Sequence, residues 1–536
     1  MSVREAAVST GGGQAVVRRV LLLAILFALI AISATGASGL VERLLDVNRA
    51  AVDGVAPLAR SLAFALIGAP LAGALWWWQR RRLALPMERA SVLWALYVAA
   101  MTLTALIMGI VGLGAAAAAA VDGEWRPDRV ATGVVWSGVW LWHSRMAERS
   151  ATAPTRQGGA TRLLGEVFGV LVAAVGLSGV ISGVLSEVLS GAAAPIVDWQ
   201  AWWVPVAQSA VWAALGSLVW WWHRRRDRVP GTFTGVVLAA IVGAAAAIAL
   251  FSSGVTLHVL LRLVFDEAPV LAVLSPLATA IAAGLVSAFV WVSYMNVVRR
   301  FHGMPAVVRL VVSGIALSGA ASGFGVIVNA LLGALATPLV GDDLRSLLLG
   351  GVSALVIGAP VWWATWRPAQ PATAETAGSP SRRVYLVLVF GASAIVAIIT
   401  MLTLGFRLFS AMLGADEGGL VDRIRAPIGL LLATTAVFAY HFAVWRRARA
   451  IAPAATRPTK PERLVLLVAD DGAEMVDRVR EVGGIRTTLW QVENQADGLR
   501  AADADAVLEA VSACTSREVL VVAEPAGGIR VIPLRQ

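Results

Sequence analysis

Residues 76–80 read Trp76-Trp77-Trp78-Gln79-Arg80, and the same kind of ending returns as Trp140-Leu141-Trp142-His143-Ser144-Arg145 and as Trp220-Trp221-Trp222-His223-Arg224. It returns again as Trp291 ahead of Arg299-Arg300, as Trp362-Trp363-Ala364-Thr365-Trp366-Arg367, and as Trp445-Arg446. From Trp78 through Trp142, Trp222, Trp291 and Trp366 to Trp445, the steps are 64, 80, 69, 75 and 79 residues. Each ending closes an apolar run, and about 20 apolar residues suffice to cross a bilayer as a helix. Twelve runs are read, over about 17–40, 57–78, 90–120, 129–142, 163–190, 201–222, 233–264, 269–297, 306–338, 346–366, 384–413 and 426–445. The first follows Arg18-Arg19 and reads as a span, not a signal peptide, because it has counterparts later in the chain. A regular period of this kind means a repeat architecture.

The composition agrees. Of 536 residues, 58% are hydrophobic and 15% charged, and the mean hydropathy is +0.75, whereas soluble domains carry about 25% charged residues. That excludes an ordinary soluble enzyme, a disordered chain and a disulfide scaffold. Cys514 is the single cysteine, which excludes an intramolecular disulfide and a cysteine-built metal cluster. The net charge is +10, but the basic residues, all Arg except Lys460, lie between apolar runs. They read as a topology signal, and nucleic acid is not an expected partner. The five connections between pairs of runs hold 18 Arg against 4 acids, while those within pairs hold 9 Arg against 15 acids. Cationic loops favour the cytoplasm, so both termini are expected there, with the chain multi-pass in the cell membrane.

Every pair of spans begins on the same side, so the repeats are parallel. The fold class expected is an all-α polytopic membrane protein of about 12 transmembrane helices, arranged as six parallel two-helix repeats, plus a small C-terminal α/β domain. Six hairpins can close into a pseudo-sixfold ring, which buries both flanks of each, or stack in an arc. Gly179 with Gly183 and Gly319 with Gly323 form GxxxG pairs, and Ser178, Ser182, Ser186 and Ser190 line one helix face. Such stripes let helix backbones approach closely in lipid. Trp78, Trp142, Trp222, Trp366 and Trp445 are the expected interface anchors, because amphipathic rings suit the headgroup layer.

Chemistry is sparse. His143, His223, His258, His302 and His441 would have to converge to hold a metal. Three of them recur at equivalent helix ends, which favours anchoring. HExxH, GxSxG, GxGxxG and GxxxxGK[ST] do not occur as motifs in the right context. No enzyme activity, cofactor or metal is expected. A polar set recurs late in the long first helices: Arg43, Glu187, Arg262, Asn329 and Arg407. From the Arg that opens each helix, Arg19 to Arg43 is 24 residues, Arg162 to Glu187 is 25, and Arg383 to Arg407 is 24. Two readings stand: snorkelling to the outer interface, or a polar collar facing a shared vestibule.

By domain, residues 1–16 form an N-terminal tail, 17–446 the transmembrane repeats, 447–462 a basic Pro-rich linker, and 463–536 a cytoplasmic α/β domain. In the last, 463–469 and 485–492 read as strands, and Val507, Ala510, Val511 and Cys514 as one helix face. Residues 518–523 and 529–534 read as a hairpin around Pro525-Ala526-Gly527-Gly528. Asp471 and Glu474 have capping-box spacing, ahead of a helix face of Val476, Val479 and Val482 that ends at Gly483-Gly484.

Arg382-Arg383-Val384-Tyr385-Leu386 and endings such as Trp445-Arg446 resemble a bacterial family of multi-pass membrane proteins classed as a domain of unknown function. Its two-helix repeats begin Arg-x-x-Tyr and close in a His/Trp–Trp–Arg pattern. The resemblance covers about residues 15–450 and implies a bacterial inner membrane, but it brings no reaction. The second repeat is read as lacking the Tyr start, and the fourth spreads its ending over eight residues. The function expected is a membrane scaffold or sensor, because the span interiors are apolar and Ala-rich. Its partners would be the bilayer and a cytoplasmic protein at the tail domain. The alternative is a channel or transporter with a pathway through the helices.

Overall fold

A computed structural model describes residues 2–46, 55–156, 159–190, 201–225, 231–301, 303–336, 342–369, 379–414 and 419–451. In the C-terminal part it describes 463–468, 479, 486–491, 499, 503–512, 514, 516, 518–523 and 528–534. The chain divides into two compact units, Met1–Ala369 with Ser381–His441, and Gln370–Pro380 with Phe442–Gln536.

The first unit is built from helix hairpins. Their helices are α1 (Ser2–Leu45), α2 (Val55–Arg82), α3 (Val92–Val121), α4 (Pro127–Glu148), α5 (Ala160–Ser190) and α6 (Trp203–Arg224). Then follow α7 (Thr232–Phe265), α8 (Leu277–Val298), α9 (Met304–Ala336), α10 (Asp342–Trp366), α11 (Pro380–Met412) and α12 (Leu420–Ile451). Among the described residues, eleven helices are long and apolar enough to cross a membrane. The twelfth, α4, is diluted by Asp128, Arg129 and Arg145, yet it runs antiparallel beside α3: a Cβ on Gly109 would meet Ser137, and one on Gly112 would lie 2.5 Å from the Gly133 nitrogen. The turn between them is closed by Gly123 at φ +79°, a left-handed position that suits glycine.

Glycine fixes the hairpins because it lets two backbones touch. A Cβ on Gly36 would lie 2.6 Å from the Ala65 nitrogen, and one on Gly323 would lie 2.6 Å from the Gly351 carbonyl. Gly169 abuts Trp220, Gly176 abuts Ala213, and Gly216 abuts Ala173. Of the two GxxxG pairs, Gly179 meets Ser209, Gly183 meets Val206 and Gly323 meets Gly351, whereas Gly319 faces open space. Ser182 and Ser190 donate their hydroxyls to carbonyls of their own helix. Gly68-Ala69-Pro70 in α2 and Gly358-Ala359-Pro360 in α10 place each glycine at the crossing with its hairpin partner, against Ser33 and Ala320.

Successive hairpins pack by one rule. The first helix of each hairpin meets the second helix of the next: α1 on α4, α3 on α6, α5 on α8 and α7 on α10, then α9 on α12, where Gly325 faces Gly429. These five interfaces join the six hairpins in chain order, which the expected ring and the arc share. Large apolar side chains remain outside, including Leu66, Phe251, Leu335, Leu402 and Phe406, each more than two-thirds exposed. Apolar surface on that scale marks a lipid-facing wall.

In the second unit, β1 (Arg463–Val468), β2 (Arg486–Gln491), α13 (Ala504–Ser512), β3 (Glu518–Ala523) and β4 (Ile529–Leu534) match the expected elements. The sheet order is β2-β1-β3-β4. β1 is parallel to β2 and β3, and β3 pairs antiparallel with β4, Glu518 opposite Leu534. Leu464, Leu466, Val479, Val507, Val511, Val519 and Val521 are buried together, and Cys514 packs against that core. The expected capping box at Asp471 and Glu474 and the stop at Gly483-Gly484 lie outside the described residues.

Candidate functional site

The polar chemistry of the first unit gathers at the Arg-rich ends of the helices, in three versions of one frame. Near the end of α4, α8 and α12 stand His143, Tyr294 and His441, each four residues after a valine and each completely buried. His143 donates its Nδ1–H to the Val139 carbonyl at 2.9 Å, and His441 does the same to Val437 at 2.8 Å. Trp76, Trp220 and Trp362 end the second helix of the preceding hairpin. Four residues after Arg19, Arg162 and Arg309, midway along α1 and early in α5 and α9, stand Leu23, Glu166 and Ser313, all buried.

The first frame is aromatic. Trp94 stacks on Tyr97 at 5.3 Å, Tyr97 lies edge-on to His143 at 6.1 Å, and Trp76 meets Trp142 at 5.4 Å. The Tyr97 hydroxyl is 3.4 Å from His143 Nε2, a long contact. Just outside, Glu88 is buried and accepts from Arg19 at 2.9 Å and Arg82 at 2.8 Å. Tyr97 occupies the place that Tyr385 holds in the last frame, where Tyr385 lies 5.9 Å from His441. The second repeat therefore does carry the Tyr start; Trp94 replaces the Arg and hides it. In the last frame Trp366 stacks on Tyr385 at 5.0 Å and donates its indole N–H to the Tyr440 hydroxyl at 3.0 Å.

The middle frame differs in holding an acid. Glu166 is 2% exposed and accepts a 2.7 Å hydrogen bond from the Tyr294 hydroxyl, which accepts one from Trp220 Nε1 at 3.1 Å. Arg224 lies 4.9 Å over the Trp220 ring and 5.1 Å over Tyr294. His223 fits against Gly165, where a Cβ would lie 2.5 Å from its Nε2, and its Nδ1–H donates to Val219 at 2.8 Å. A buried carboxyl needs such partners. The sequence carried one signal for it, an acid four residues beyond a helix-opening Arg and inside an apolar run.

Of the expected anchors, Trp78 and Trp142 are each 38% exposed, Trp222 is 46% exposed, and Trp445 is half-buried beneath Arg449. Trp366 departs from that expectation. It is completely buried, because Tyr385 and Tyr440 cover it. Two members of the polar set of the opposite ends have partners within their own hairpin. Arg262 pairs with Asp266 at 2.7 Å, one helical turn away, and its hydrogen bond holds the Asp266 carboxyl below the usual range. Arg407 donates to the Arg423 carbonyl, Asn329 and Arg43 are half-buried, and Glu187 is exposed. Among the described residues no group of three metal-binding side chains occurs.

Two segments, residues 19–138 and 306–436, each match the family model described as a domain of unknown function (DUF5671). No curated protein and no solved structure matches the chain. Each matched segment spans two hairpins, α1–α4 and α9–α12, and the frames show that α5–α8 repeats the same plan between them. The six hairpins are thus three four-helix units, and in its two matched segments this multi-pass membrane protein is similar to a family whose function is unknown.

Proposed function

We propose that the protein is a non-enzymatic membrane scaffold or sensor that presents its C-terminal α/β domain to a soluble partner, with that domain and the Arg-rich loops in the cytoplasm. The observation that carries this reading is how the helices meet. Hairpins close backbone on backbone at Gly36, Gly112, Gly176, Gly216 and Gly323. The frames are filled by aromatic rings; in the middle one Trp220, Tyr294 and Glu166 bond to one another, and in the last Trp366 bonds to Tyr440. Such an assembly is a rigid platform. Its tail, with a separate core, is the part left to act on a soluble molecule.

The test is proximity labelling from a fusion after Gln536 in cells. A reproducible set of soluble neighbours should disappear when Val519→Asp and Val521→Asp break the tail's core, while the membrane level of the chain is unchanged. Selective ion or solute flux through the purified chain in liposomes would overturn the scaffold and establish a channel or transporter.

A further inference from the structure

Between the first and second four-helix units, at the Arg-rich end, lies a cleft of about 280 Å³. Its character is unlike that of the larger cleft of about 740 Å³ among α9, α11 and α12, which is lined chiefly by Val, Leu and Ala. Four helices wall the smaller cleft: α4 brings Ser144, Arg145 and Glu148, α5 brings Thr161 and Arg162, α6 brings His223, and α3 brings Thr102. The cations come from different units, Arg145 from the first and Arg162 from the second. Nothing with the charge of two guanidiniums is set against them in the lining; Glu148 is the one acid.

We propose that this cleft binds the phosphodiester headgroup of an anionic phospholipid, which bridges the two units. Height supports it. Trp142 and Trp222 end the same helices, are partly exposed, and mark the level at which aromatic rings meet headgroups. Charge supports it. Two Arg and one Glu leave a single positive charge, which one phosphodiester neutralises, and a guanidinium fork matches phosphate oxygens. Donors support it. The cleft takes in Thr161 and Arg162 in the first turn of the 31-residue helix α5, whose N-terminal end favours anions. Trp140, also in the lining, has a buried indole N–H with no acceptor among the described residues. Basic clefts between membrane helices are the usual setting for anionic headgroups.

The test uses the full purified chain, delipidated in neutral detergent. Its thermal midpoint is followed against phosphatidylglycerol, phosphatidylcholine with the same acyl chains, and inorganic phosphate. Phosphatidylglycerol should raise the midpoint saturably, the other two should not, and native mass spectrometry should show one retained anionic lipid. Arg145→Gln and Arg162→Gln should each weaken the effect about tenfold, Glu148→Gln should strengthen it about threefold, and Arg81→Gln, outside the cleft, should leave it unchanged. Should either cleft variant fail to fold, the native spectrum of the wild type and the gain from Glu148→Gln still decide. Equal shifts with phosphatidylcholine, or equal losses with Arg81→Gln, would overturn the site. An equal shift with inorganic phosphate would overturn the lipid as its source.

Discussion

Replacing Tyr294 by Phe removes one oxygen from the middle frame and nothing else. That oxygen donates to Glu166 at 2.7 Å and accepts from Trp220 at 3.1 Å. A hydrogen bond to a charged group is worth about 1.5–3 kcal/mol and a neutral one about 1 kcal/mol. Between membrane helices measured couplings average only about 0.6 kcal/mol and reach about 1.7, because the unfolded helices find other partners. The membrane scale governs here, so the two bonds lost in Tyr294→Phe should cost about 1–2 kcal/mol in total. Its coupling to Glu166→Ala should be about 0.6–1.7 kcal/mol. Tyr97→Phe is the control: its hydroxyl sits 3.4 Å from His143, too far for a strong bond, and its loss should cost under about 0.5 kcal/mol. The assay is reversible unfolding of the purified chain in mixed micelles as the denaturing detergent fraction rises, with all corners of the Glu166–Tyr294 cycle. Equal costs for Tyr97→Phe and Tyr294→Phe would refute the reasoning. So would additivity of the Glu166 and Tyr294 changes to within about 0.3 kcal/mol.

Gly112→Val and Gly216→Val should abolish the folded yield in detergent, because each Cβ would meet backbone, whereas Gly138→Val, where nothing lies within 4 Å, should be tolerated; size-exclusion profiles decide. Asp266 has a depressed folded pKa because of Arg262, so its stabilising contribution is complete above the unfolded value of about 3.9 and is lost as pH falls through the folded one; Asp266→Asn should flatten unfolding midpoints measured between pH 6 and 3. The tail from residue 460 should fold alone on its Leu464, Leu466, Val519 and Val521 core, giving dispersed amide NMR signals that collapse with Val521→Asp. In a Cys514→Ser background, Arg225→Cys should resist and Asp342→Cys should accept an impermeant thiol reagent from outside; the reverse result would invert the topology.

Much of this architecture is legible in the chain, because a helix that meets lipid must be apolar across the hydrocarbon core and a Trp–Arg ending suits its edge. The tail's strands were legible for a different reason: its apolar period shifts to that of strands after Pro461. What stayed hidden was equivalence across unlike chemistry. His143, Tyr294 and His441 share one position, but a reader matching residue types pairs His143 with His223, which sits on another helix. Trp366 carries the anchor's sequence and not its exposure, since it is covered by Tyr385 and by Tyr440, seventy-four residues away. Counting along a helix gives depth and not direction, so the spacing from Arg19 to Arg43 and from Arg383 to Arg407 carries a level alone. The pair at Arg262 and Asp266 stands at i, i+4 spacing and could have been read as local from the start.

The middle frame also bears on stoichiometry. A trimer assembled from one four-helix chain would repeat the same residue at three symmetric places, so a carboxyl tolerated at one would be imposed on all. Here the units are joined covalently, and the corresponding positions hold Leu23, Glu166 and Ser313. Covalent linkage lets one copy diverge while its neighbours keep plain packing. Each molecule therefore has a single buried acid in these frames, at a fixed ratio of one per chain, and any property that depends on it is asymmetric by construction.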